Sequence, residues 1–402
     1  MRSLLSLTLV LSALAARPAA AAPEVVVWCA FRAQERAAFE KVVASYNARP
    51  EAKAQVRVVA VPFDAFSDKI SAAVPRGKGP DIFIYPQDRL GGWVDTGNTV
   101  EPIDFYVTDE VRARFPAPAL AALTYRGQLW GLPLNYKALA LIYNRKLLPQ
   151  PPRTTAELEA LARKLTRKSA GRYAFAFPYG EPYYYAPLIN GFEGGVLDAK
   201  GQATLDLPGN VKAFELLMRW KRAGWLPEEA SPSLITSLMN EGKLAMAFSG
   251  PWMLSEIAPE VDVGVAPLPS LSEHGGKPMR PWVTVEGAYV SAGSANKEAA
   301  FDFISYLTDL EAARVMALQG RECPVNSQVW QDEAVGQDPV LSVFHRQGEV
   351  GVPMPNLAEM TLMWPRLTKA GGEILRGTRP KDALEKAQRG LVDDLAAFHR
   401  KK

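Results

Sequence analysis

The 402-residue chain carries 46 Lys and Arg against 43 Asp and Glu, a net charge of +3 with no long block of either sign, which excludes a phosphate-neutralising nucleic-acid surface. Its three histidines, His274, His345 and His399, are scattered without metal-ligand spacing, and two cysteines exclude a disulfide scaffold. A mature chain of about 380 residues exceeds what one hydrophobic core supports, so two lobes are expected.

Met1-Arg2, the apolar run from Leu4 to Ala15 and the small residues Ala19 to Ala22 read as a secretory signal peptide, residues 1–21, cleaved after Ala21. The run is shorter than the roughly 20 apolar residues that span a bilayer, and no cysteine stands at its end to take a lipid. A free periplasmic protein is expected. Arg2 and Arg17 leave with that segment, so 46 basic residues become 44 against 43 acidic ones, a net charge of +1.

Val25 to Trp28 is a continuous apolar strand of the kind buried on both faces. Phe39, Val42, Val43 and Tyr46 then recur at helical spacing, up to the breaker Asn47 to Pro50. Val56 to Val61 reads as a strand, Phe63 to Val74 as a helix and Ile82 to Ile84 as a third strand. This βαβαβ order predicts a doubly wound α/β lobe that binds ligands beyond the carboxyl ends of its strands. There the loop Tyr85-Pro86-Gln87-Asp88-Arg89 offers an aromatic face, a carboxylate and a guanidinium, groups suited to the C–H side and the hydroxyls of a sugar.

A second α/β lobe begins near residue 138 with a strand from Ala138 to Tyr143. The capping box Thr154-x-x-Glu157 opens a helix with Leu158, Leu161 and Leu165 inward, and Tyr173 to Phe177 is the next strand. Leu234 to Glu241 reads as a helix, Leu244 to Phe248 as a strand and Gly250-Pro251-Trp252 as a turn. Val283 to Val290 is extended, Asn296 caps a helix to Leu307, and a capping box at Thr308-x-x-Glu311 opens another. Leu384, Leu391, Leu395 and Phe398 mark one face of the final helix.

Seven motifs occur in order: Gly79-Pro80-Asp81-Ile82, Asp88-Arg89-Leu90-Gly91-Gly92, Leu141-Ile142-Tyr143-Asn144, Leu147-Leu148-Pro149 with Pro151-Pro152, Glu181-Pro182-Tyr183, Gly250-Pro251-Trp252 and Met354-Pro355-Asn356. Together they resemble the maltose/maltodextrin-binding proteins of bacterial ABC importers, over essentially the whole mature chain. The resemblance implies two α/β lobes, 22–136 plus 287–334 and 137–286 plus 335–402. Three crossovers join them, near Asn135 to Leu139, Val283 to Ala288 and Val329 to Asp338, and the sugar lies in the cleft between.

By that resemblance Tyr85 takes the place of a stacking Trp, Asp88 and Arg89 match the hydroxyl-binding pair, and Glu181 and Tyr183 match a carboxylate and an aromatic of the other lobe. Tyr184 occupies a Phe position, and Trp252 and Trp364 match stacking tryptophans. The chain also departs from the family. Arg32 and Glu35 replace an Asp-Lys pair after the first strand, Lys137 stands where the family has a glutamate, Thr368 where it has an arginine, and Glu286 where it has an apolar residue. Lys137 and Glu286 are expected to pair across the hinge, within about 4 Å. Cys29 and Cys323 fall in one lobe, either as a disulfide that stiffens the cleft floor or as two buried thiols.

The implied action is reversible capture of a disaccharide or oligosaccharide, closure of the lobes and delivery to membrane permease subunits of an ABC importer, by a monomer without cofactor or metal. The rivals are an exported carbohydrate-active enzyme using two of Asp88, Glu181 and Glu286, and a sugar-sensing receptor subunit. No Gly-x-Ser-x-Gly elbow or other nucleophile signature supports the enzyme.

Overall fold

The computed structural model describes residues 22–400; the signal peptide assigned to residues 1–21 lies outside them. The chain opens with strand β1 (Glu24–Cys29), helix α1 (Ala33–Asn47), β2 (Gln55–Ala60), α2 (Phe63–Ala73) and β3 (Ile82–Pro86). After several short elements come β4 (Gly131–Lys137), β5 (Ala140–Asn144), α3 (Thr155–Leu165), β6 (Tyr173–Ala176), α4 (Pro182–Gly191), β7 (Leu244–Ser249), β8 (Val263–Ala266) and β9 (Trp282–Val290). Then follow α5 (Lys297–Leu307), α6 (Leu310–Gly320), β10 (Cys323–Pro324), β11 (Val352–Pro353), α7 (Met360–Leu375) and α8 (Pro380–Arg400).

Two sheets organise two lobes. The first has the order β10-β4-β9-β3-β1-β2, with β11 alongside β9; the second has the order β8-β5-β7-β6. In the first, β1 runs parallel to both β2 and β3, whereas β9 runs antiparallel to β3 and β4. Parallel strands covered on both faces need continuous apolar side chains, and every residue of β3 is buried accordingly. Val27, Phe39, Ile82, Phe83 and Tyr289 fill the first core; Leu141, Phe175, Phe177, Trp220 and Phe248 fill the second.

Three details differ from the sequence reading. Residues 131–137 form a strand of the first sheet, and the second-lobe strand begins at Ala140 rather than Ala138. Pro133 hides β4 from a pattern search, because proline cannot donate to a ladder. The sheet absorbs it with a register shift, Glu286 facing Asn135 and Gly287 facing Pro133, which leaves Leu134 as the extra residue. At the start of α6 the cap is Asp309, accepting from Ala312 N–H at 2.8 Å, rather than Thr308. Asn296 holds the N-cap position of α5 but its side chain makes no cap bond. Thr154 does cap α3, accepting from Glu157 N–H at 3.2 Å.

Candidate binding cleft

On the first lobe, β3 ends in a single 3-10 turn at Gln87–Arg89. Fully buried Gln87 fixes this turn, donating to Met354 C=O at 3.0 Å and accepting from Val285 N–H at 2.8 Å. Asp88 then accepts from the indole N–H of Trp364 at 3.0 Å, while Arg89 Nε lies 3.3 Å from the same carboxylate. Burial pushes the Asp88 carboxyl up, and Arg89 and the indole oppose that shift. The Arg89 guanidinium stands 6.0 Å from the Trp364 ring centre. Gly91 permits this approach: a Cβ there would meet Ala358 N at 2.4 Å and Asn356 O at 2.6 Å. Its own N–H donates to Asn356 C=O at 3.0 Å.

Tyr85 lies elsewhere than its sequence position suggests. Its ring is only 5 % exposed, stacked at 5.3 Å on both Phe63 and Phe66, with Trp93 edge-on at 5.6 Å. It belongs to the core behind the wall, with no open face for a ligand.

The second lobe contributes a connected row of rings. Pro182 starts α4, so Glu181, Tyr183 and Tyr184 occupy its first turn, where proline's missing N–H costs nothing. Tyr183 lies 5.9 Å from Tyr184, 6.0 Å from Trp252 and 6.4 Å from Trp282, and Trp282 meets Trp364 at 5.4 Å. Trp282 is buried and anchors this row, whereas Tyr183, Trp252 and Trp364 remain half-exposed. Burial raises the Tyr183 phenol to about 12, so it stays a neutral hydrogen-bonding group. Glu181 is exposed, yet desolvation by its surroundings and then the Asp64 carboxylate raise its pKa. Glu181 therefore feels Asp64, at the start of α2, from the opposite lobe.

The floor is a buried charge cluster of Lys137 on β4 and Glu286 on β9, joined by Glu35 of α1 and Glu322 just before β10. Lys137 Nζ lies 3.4 Å from Glu286, the expected pair, but also 3.3 Å from Glu322 and 3.6 Å from Glu35. Asn135 Nδ2 donates to Glu286 at 3.0 Å. Three carboxyls for one ammonium leave a charge excess, which such a dry site relieves by keeping a proton. Burial pushes the Glu322 carboxyl well above the ordinary range. Burial also raises Glu286, against the pull of Lys137. Glu35 is instead held low, because Lys137, the bond from Glu322 and backbone N–H of Arg32 outweigh its burial. Glu35 Oε1 and Glu322 Oε2 lack donors, a pair that a proton shared between them would satisfy. Burial alone lowers Lys137, but the neighbouring Glu286, Glu322 and Glu35 carry it well above its ordinary value.

At the rim, Arg32 just after β1 reaches Glu256 of the opposite lobe, Nη1 to Oε1 3.0 Å. The predicted ligand groups thus divide. Arg89, Glu181, Tyr183, Trp252 and Trp364 keep exposed surface, whereas Asp88 and Tyr184 are buried like Tyr85; Glu35, Lys137 and Glu286 form a buried cluster, and Arg32 reaches across to Glu256. The disulfide is not formed: Cys29 and Cys323 are free and buried, since β3, β9 and β4 separate their strands. Burial raises the Cys29 thiol to about 12. Sequence reasoning missed Glu322, Glu256, Trp282 and Phe63. Glu322 adjoins Cys323 and was passed over, because only the fold brings it to Lys137.

A family model described as bacterial extracellular solute-binding protein matches residues 32–314. The chain belongs to this family. A maltotriose-binding protein of Pyrococcus abyssi is 29 % identical over 382 residues, covering 92 % of this chain and 82 % of that one. A galactooligosaccharide-binding protein of Bacillus subtilis is 24 % identical over 392 residues, 94 % of this chain and 90 % of its own length. Among solved structures, the Thermus thermophilus maltotriose binding protein bound with maltotriose superposes with a TM-score of 0.85 at 28 % identity, over 92 % of this chain and all of that one. These relatives are binding proteins, not enzymes. Among the described residues no helix is long and apolar enough to cross a membrane, and no group of His, Cys, Asp and Glu forms a metal site.

Proposed function

We propose that this exported solute-binding protein captures a maltooligosaccharide between its lobes and delivers it to the permease of an ABC importer. The observation that carries this reading is the opposition of two complementary walls. On the first lobe the half-buried Arg89, held by the buried Asp88 carboxylate, presents a guanidinium, and on the second Tyr183, Trp252 and Trp364 present half-exposed ring faces. Sugars offer hydroxyl edges to the first and C–H faces to the second.

Binding needs no chemistry. The open form takes sugar on one wall, and rotation about the three crossovers brings up the other wall and excludes water. The moving units are 22–136 plus 287–334 and 137–286 plus 335–402, with Lys137 and Glu286 on the strands between them. Removal of residues 1–21 on export leaves the mature protein free in the periplasm as a monomer. A micromolar dissociation constant, about −8 kcal/mol, is within reach of a few stacked rings and buried hydrogen bonds.

A galactooligosaccharide is the second reading, supported by the similarity to the galactooligosaccharide-binding protein of Bacillus subtilis, while Lys137 and exposed Thr368 depart from the family pattern. A thermal-shift screen over mono-, di- and oligosaccharides tests both. Stabilisation by maltose, maltotriose or maltotetraose supports the first, and stabilisation by galactooligosaccharides alone replaces it with the second. Release of smaller sugars during incubation would overturn both in favour of an enzyme.

A further inference from the structure

We propose that Phe63 is the stacking surface of the first lobe, the ring on which a sugar residue of the bound oligosaccharide rests. The inference builds on the maltooligosaccharide reading. Tyr85, at the position where a stacking ring is expected, is closed off at 5 % exposure, whereas Phe63 is 43 % exposed. The two rings are nearly parallel, 13° apart with centroids at 5.3 Å, so Tyr85 braces Phe63 from within the core. Phe66 and Trp93 hold Tyr85 in turn, at 5.3 and 5.6 Å. A ring so backed keeps its orientation, and ordering it on binding costs little side-chain entropy.

Its place in the fold supports the same role. Phe63 begins α2, beyond the carboxyl end of β2, the edge strand farthest from the crossover strands β4 and β9. The next residue, Asp64, faces Glu181 across the cleft closely enough to raise its carboxyl. An exposed apolar ring with the Asp64 carboxylate on the next residue matches a sugar, which has C–H faces and hydroxyl edges together. The other exposed phenylalanine among the described residues, Phe105 at 94 %, meets only Tyr106 among the rings and has no such surroundings.

Calorimetric titration of the mature protein with maltotriose tests the assignment, using wild type, Phe63→Ala, Phe63→Leu and Phe63→Trp. Phe63→Leu keeps an apolar cover over Tyr85 but loses the flat face, so it separates stacking from packing. The expected result is about five- to tenfold weaker binding for the Ala and Leu variants, with Trp equal to or tighter than wild type. Wild-type affinity in the Leu variant would overturn the inference. So would weakening by Trp equal to that by Leu. If wild type binds no maltooligosaccharide, the functional reading on which the inference rests fails, a result distinct from equal binding by wild type and variants.

Discussion

At the cleft floor Lys137 meets Glu35, Glu286 and Glu322 through side chains 11, 4, 7 and 1 % exposed, whereas at the rim Arg32 meets Glu256 with 53 and 29 % exposed. Both are ion pairs at the meeting of the lobes, yet burial gives them opposite consequences. Water screens the rim pair, which contributes roughly 0.2–1 kcal/mol at most and costs little to break. The floor cluster has given up its hydration, so each member depends on the others. The difference separates a contact that burial locks in place from one that water leaves free to open.

The most severe way to break the contrast is Lys137→Met. It leaves Glu35, Glu286 and Glu322 buried without their cation and should cost about 3–5 kcal/mol, read as a lower urea midpoint. Trp364→Phe comes next. It keeps an aromatic ring but removes the donor to Asp88, a loss of roughly 1–3 kcal/mol in stability together with weaker ligand binding.

Glu322→Gln sharpens the contrast through pH. The Glu322 carboxyl is raised in the folded state, so its stabilising contribution is complete below the ordinary value near 4.5 and is lost as pH rises through the folded value. Glutamine stays neutral and still donates toward Glu35. The melting temperature of the variant should therefore match wild type near pH 4 and gain on it steadily as pH increases. Glu35, held low, contributes in the other direction: its share is present above the ordinary value and lost as pH falls. The smallest effect belongs to Arg32→Ala, expected to shift stability by less than about 1 kcal/mol. Its influence on the ligand off-rate should fade at high salt, where the screening length drops to about 3 Å at 1 M.

Much of this was readable in the chain. Val25 to Trp28 and Ile82 to Ile84 announce buried parallel strands by their unbroken apolar runs, and both are present in β1 and β3. The Lys137–Glu286 pair followed from placing two charges on adjacent crossover strands. Glu322 did not, because nothing local marks a residue from a separate strand as its partner. Tyr85 was misread for a related reason: sequence gives its place at a strand end but not which way the ring turns, and Phe63, 22 positions earlier, covers it. β4 was obscured by Pro133, whose cost is absorbed by a bulge visible only in the pairing with β9.

The most direct test is a calorimetric titration of the wild-type mature protein with maltotriose at neutral pH, with the sugar recovered and analysed afterwards. Saturable binding near one site per chain, in the micromolar range, with maltotriose recovered intact, is the outcome expected of a capture protein. Absence of binding to maltose, maltotriose and maltotetraose alike, or recovery of cleaved sugar, would overturn it.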